Sequence, residues 1–395
     1  MKIKTWARLF LAVAPVLAGC KGFWDVPSGS GSGSGGSGSA SGIFYVLNQK
    51  TAQIAGFSFA QGSTSLTAVT NSPFSLGTAP IAVAISPNGG FLYVSTPAGI
   101  FAYSVNATTG ALTIQNNSQA ISADAAFAML VDPTGGWLVE SVPGLTTVNA
   151  IPLDPTTGVL LSGASEQTVG LPAGAASVQE LAITPSGATN PYVFAAIGTT
   201  GIGVIPFNSS SSGNPFGAAN IIKPKNTTGG DTTVAVDVTN PVLYAGETVA
   251  VSGTNPGGVR MFTVGANSTL TEVSGSPFPS GGVGPSAILP TTHFVYVANK
   301  AVTGSNNGNI AAYGITSVAG QATGLTAVTN GVVSVGLSPL GLAEDSTGTY
   351  ILAVNSSGSP DLSVFTIQTS GALKSYTTAA TGSDPVQAAA IAAIP

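Results

Sequence analysis

The chain has 395 residues, enough for one large β domain or two ordinary ones, and it is 44% hydrophobic but only 6% charged, against roughly 25% charged in a typical soluble domain. Ten basic against fifteen acidic residues give a net charge of −5, a balance that argues against nucleic acid as a partner. Mean hydropathy is positive, +0.41, yet no stretch approaches the ~18 apolar residues that a spanning helix needs. The apolar residues come instead in short runs punctuated by 52 Gly and 26 Pro, the pattern of an all-β chain.

Residues 1–19 read as a signal peptide: Lys2, Lys4 and Arg8 supply the positive end and LFLAVAPVLA the short apolar run. The segment ends in LAGC, which resembles the bacterial lipobox, with Cys20 as acceptor and as the only cysteine in the chain. That resemblance implies cleavage before Cys20, acylation of its thiol, and attachment to a membrane through the lipid. Lys21 in the place of an Asp implies sorting to the outer membrane, on its periplasmic or surface face. Cleavage removes three basic and no acidic residues, leaving a net charge of −8. The Gly/Ser-rich stretch that follows makes residues 20–42 a tether, with a root-mean-square span of about 25 Å from Cys20 to Ile43.

From Ile43 onward one hairpin recurs. ISPNGGFLYVS (85–95) returns as VDPTGGWLVES (131–141), LPTTHFVYVAN (289–299) and EDSTGTYILAV (344–354). A second hairpin follows each copy, as in GIFAYSVNATTGALTI and DLSVFTIQTSGALKSY, and seven such hairpins can be counted. The period is about 50 residues, in the range of propellers and solenoids. Two hairpins per repeat make a four-stranded blade, A to D from the axis outward, and seven blades close a ring over residues 43–395. Blade one starts on strand B and lacks an A strand, so residues 386–394, VQAAAIAAI, are expected to return and complete it.

The runs ISPNGGFLYVS, VNATTGALT and IQTSGALKSY, with SPF at 72–74 and 276–278, resemble the seven-bladed propellers of the lactonase family, relatives of bacterial 6-phosphogluconolactonase. The resemblance covers residues 43–395 and rests on turn and core residues. It implies the fold directly and an activity on a lactone less directly.

Chemistry must come from the loops. In propeller enzymes the end of the ring carrying the B–C and D–A connections usually holds the ligand, and there the sequence offers Asn48, Lys50, Glu247, Asn299, Lys300, Asn355 and Asp361. Asn48, Glu247, Asn299 and Asn355 fall at one position of their blades, just past strand B. They form either a partial polar ring for a ligand or a set of side chains that satisfy turn backbone. His293, the only histidine, takes the place of Gly90 in an A–B turn at the opposite end. Glu140 replaces Val94 within an apolar strand; exposure at an irregular edge is the expected outcome, and burial with a raised pKa the alternative. Arg260 is the only arginine after residue 19 and hence the only bidentate anion clamp on offer.

No zinc-ligand cluster, G-x-S-x-G elbow, P-loop or Asp-rich calcium loop is present, so no metal or cofactor is expected. A phosphosugar would call for clustered basic residues, whereas Lys50, Lys223, Lys225, Arg260, Lys300 and Lys374 are spread over five blades. The residues therefore favour a monomeric, lipid-anchored, non-catalytic propeller binding a protein, glycan or cell-wall partner. The alternative, implied by the resemblance, is a hydrolase of a sugar lactone, for which Glu140 or Glu247 would be the base and Lys50, Lys300 or Arg260 the positive group.

Overall fold

The recurring hairpin has one mechanical cause. At its turn a side-chain oxygen accepts the backbone N–H that opens the second strand: Ser86 from Phe91, Asp132 from Trp137, Thr184 from Tyr192, Thr291 from Phe294 and Asp345 from Tyr350. Asp237 at the equivalent position holds its turn through Thr239. Short oxygen side chains at a turn supply a hydrogen bond that the backbone cannot make for itself. The repeated Ser/Asp/Thr of the sequence is thus a strand-pairing device, not a set of ligands.

The computed structural model describes residues 42–394 apart from 60–64, 227, 238, 240, 249–256, 319, 358–359 and 380–389. Residues 1–41, with the expected signal peptide, Cys20 and most of the expected tether, lie outside the described residues. Within them are seven four-stranded antiparallel blades, and the fold is a seven-bladed β-propeller. Strand A is Ala390–Ala393 in blade one, then Ala82–Ile85, Ala128–Val131, Glu180–Ile183, Asp231–Val236 and Val283–Pro290 in blades two to six. In blade seven it is the inner half of the 24-residue strand Gln321–Glu344. That strand joins two blades, pairing with Asn307–Val318 of blade six by its first half and with Tyr350–Ser357 by its second. The sequence reading had separate strands here.

Ring closure is as expected from the missing strand. Ala393, Ala392, Ile391 and Ala390 pair antiparallel with Phe44, Tyr45, Val46 and Leu47, whereas residues 386–389 of the expected strand lie outside the described residues. Successive innermost strands touch around the whole ring.

The core is divided into seven clusters, each lying between two neighbouring blades. Alternate residues of a strand therefore face different blades, both faces are buried, and the strands read as continuous apolar runs. Polar tips add specificity. The Tyr45 hydroxyl donates to the Gly110 carbonyl at 2.6 Å, and that of Tyr296 to the Gly371 carbonyl at 3.1 Å, each reaching the C–D turn of the next blade. Gly110 and Gly371 adopt φ of +67° and +86° and pack on Val69 and Phe294, where a Cβ would clash. This accounts for the repeated Gly-Ala-Leu. The Ser of each SPF run accepts a strand C amide, Ser72 from Gly56 and Ser276 from Met261. Among the described residues no helix is long and apolar enough to cross a membrane.

Candidate functional site

The end of the ring with the B–C and D–A connections carries one set of buried polar side chains, besides those of the A–B turns at the other end. Asn48, Glu247, Asn299 and Asn355 all lie there, each at most 1% exposed. Asn299 donates to the Ser280 carbonyl at 2.8 Å and to Asn309 Oδ1 at 2.9 Å, and Asn309 donates to the Gly281 carbonyl. Asn355 donates to the Pro360 carbonyl, and Glu247 Oε1 accepts the Asn226 N–H at 2.9 Å. Asn48 Oδ1 makes a long contact, 3.5 Å, with the Thr51 N–H. The shared position is thus used to tie turns and D–A connections to strand B, and Thr96 does the same in blade two through Ala98 and Gly99. Lys50 is exposed in its turn, and Asp361 is buried. His293 is exposed in the A–B turn, at the other end of the ring.

Arg260 is not an open clamp. It is almost fully buried on strand C of blade five, Gly258–Val264, where its Nη1 meets Asp231 Oδ2 at 2.8 Å and the Lys223 carbonyl at 3.1 Å. Its Nη2 lies 3.3 Å from Glu272, which also pairs with Lys225. The guanidinium fork is consumed internally, because a charge taken out of water persists only when its donors are met. Asp231 opens the innermost strand of blade five and pairs in register with Glu247. Burial pushes its carboxyl up to about 7, offset in part by Arg260 and reinforced by Glu247, and its Oδ1 has no hydrogen-bond partner.

Lys300 lies at the end of strand B of blade six, Phe294–Ala301, packed over Gly284. It is half-buried, burial pulls its pKa down, and among the described residues nothing pairs with its ammonium.

Glu140 corrects the expected edge exposure: it is fully buried. It occupies the strand position of Val94 and Ala245, which pack in the cores between a blade and the one before it. Asn149, its cross-strand partner, donates from Nδ2 to Glu140 Oε1 at 2.6 Å. Burial pushes the Glu140 carboxyl up to about 8 against the pull of Asn149, with Asp124 and Glu166 adding to the rise. Glu166 is raised to about 7 by burial and by Asp124.

Sequence reasoning missed Asp124, Glu166, Asp231 and Asn149, which sit in no motif. The one signal was positional: a hairpin centred on 144–145 places Asn149 opposite Glu140. On the opposite face a groove of about 490 Å³ between blades four and five is lined by residues 184–190 with Val236, Thr239, Pro241 and Val264. It contains no ionisable side chain among the described residues and hence no acid–base chemistry.

Residues 18–176 match the family described as "Lactonase, 7-bladed beta-propeller". The chain is similar in structure to a provisionally assigned 6-phosphogluconolactonase from Bacteroides fragilis, with TM-score 0.66 and 15% identity over 92% of this chain and 100% of that one. The periplasmic gluconolactonase PpgL of Pseudomonas aeruginosa gives TM-score 0.65 and 17% identity, over 90% of this chain and 99% of that one. Among curated proteins none matches.

Proposed function

We propose, taking the chain as a seven-bladed propeller of the lactonase type, that it hydrolyses a neutral sugar lactone at the ring end that carries the B–C turns. The observation that carries this reading is Asp231, the first residue of an innermost strand, with a free carboxylate oxygen and a pKa raised to about 7. A base of that pKa is matched to activating water near neutrality. Because Asp231 is fully buried, the reaction requires the connections at this end to part and admit water and lactone. Asp231 Oδ1 then takes a proton from water, the hydroxyl oxygen bonds to the lactone carbonyl carbon, and the ring C–O bond breaks. The proton then passes to the departing alkoxide, giving the hydroxy acid. Lys300, unpaired and desolvated at the same end of the adjacent blade, would meet the oxyanion.

The internal use of Arg260 supports a neutral substrate, because no arginine fork is left for a phosphate. The lipobox-like LAGC supports a cell-envelope location, with the propeller tethered by lipid on Cys20. A non-catalytic propeller binding a protein, glycan or cell-wall partner is the second reading. The near-complete burial of Asp231 and Glu247, closed to solvent, favours it.

Proton release from glucono-1,5-lactone and from 6-phosphogluconolactone, each corrected for spontaneous hydrolysis, tests the proposal on the purified full chain. Turnover of the neutral lactone alone is expected, falling at least about 100-fold in Asp231→Asn. Absence of turnover on neutral lactones by the folded protein would leave the binding reading in its place.

A further inference from the structure

We propose that Asp124, Glu140 and Glu166 form a binding site for one divalent cation of the calcium type, lodged between blades two and three. One carboxylate oxygen from each lies within 4.8 Å of the others. Calcium–oxygen bonds of about 2.3–2.6 Å let a single ion bridge oxygens up to about 5 Å apart. The donors are all oxygen, a set that selects hard cations and not zinc or copper.

Two further atoms point to a ligand. Glu140 Oε2 is buried without a hydrogen-bond partner, and so is Asn149 Oδ1, on a side chain only 6% exposed. Asn149 holds Glu140 Oε1 through its amide nitrogen, so its amide is turned to the cluster and its carbonyl oxygen is a candidate fourth donor. Among the described residues no ammonium or guanidinium pairs with any of the three carboxylates. Three carboxylates around a buried position repel one another, and a bound cation removes that cost.

The ligands come from three segments. Asp124 lies in the connection from blade two to blade three, where Ser122 Oγ donates to its Oδ2 at 3.2 Å. Glu140 is on strand B, and Glu166 stands immediately before strand D, Gln167–Gly170. An ion held by all three would staple the inter-blade connection to the second and fourth strands of blade three. Asp124 and Glu166 are only half-buried, which leaves a route of entry to the fully buried Glu140. No contiguous calcium loop is needed for this, which is why a motif search finds none. The site is independent of the lactone reading.

The experiment uses the full chain, stripped with EDTA and dialysed, in calorimetric titrations with CaCl2 and MgCl2 at pH 7.5 and in thermal melts with and without each ion. One saturable Ca²⁺ per chain is expected, with a rise in melting temperature. Asp124→Asn and Glu166→Gln, both on half-buried residues that the fold tolerates more readily than a change at Glu140, should each weaken Ca²⁺ at least tenfold and remove the rise, with the β-sheet circular dichroism unchanged. The proposal is overturned by no saturable Ca²⁺ heat in the unaltered chain, by equal Ca²⁺ binding in both variants, or by Mg²⁺ binding more tightly than Ca²⁺.

Discussion

Asp231 and Arg260 form a buried pair whose balance depends on pH. Burial holds the Asp231 carboxyl at about 7 in the folded state, above the ordinary value of 3.8. The folded chain therefore binds this proton more tightly than the unfolded one, and the group lowers stability as pH rises from about 4 to about 7. Arg260 limits that loss by compensating the ionised carboxylate. Arg260→Met should thus cost about 3–5 kcal/mol at pH 8, where Asp231 is ionised, and clearly less at pH 5, where it is protonated. Urea unfolding at the two pH values is the check, and an equal loss at both would contradict the raised pKa. Arg260 was visible in the sequence as the only arginine after residue 19, but its role was not. Its partners Asp231 and Glu272 are 29 and 12 residues away, and only the register of four strands brings them together.

The innermost strand of blade one shows how local sequence and long-range pairing combine. Ile391 and Ala392 are buried against Val46 and Tyr45, from the opposite end of the chain. Ile391 lies in the cluster between blades seven and one, and Ala392 in that between blades one and two. Deleting residues 390–395 strips both clusters and opens a sheet edge, a loss of several kcal/mol at about 25 cal/mol per Å² of apolar surface. Ile391→Ala alone should cost about 2–5 kcal/mol, whereas Ile114→Ala, on a side chain 38% exposed, should stay within about 0.5 kcal/mol. Denaturant midpoints for the three variants would order them. This strand was legible because a repeat lacking one strand at its start and carrying one extra at its end must close on itself. The 24-residue strand shared by blades six and seven was not, since Gly331, Gly336 and Pro339 within it read as breaks.

For the whole molecule, the proposed membrane attachment would depend on one side chain, the thiol of Cys20, outside the described residues. Cys20→Ser should release the protein from the membrane fraction, and normal retention in fractionated cells would refute the lipid anchor. The blade count and the closed ring were determined by the sequence alone, because turn residues and apolar periodicity are local and each repeat restates them. The A–B turn position of His293 followed for the same reason. What the tertiary structure decided is the electrostatics. Whether Glu140 meets water or Asp124 and Glu166, and whether Arg260 is open or spent on Asp231, depends on strand register within a blade and on how the connection between blades packs against it, across some 12–42 residues of chain. Desolvation and charge pairing act through space at a few ångströms, and no spacing along the chain encodes them.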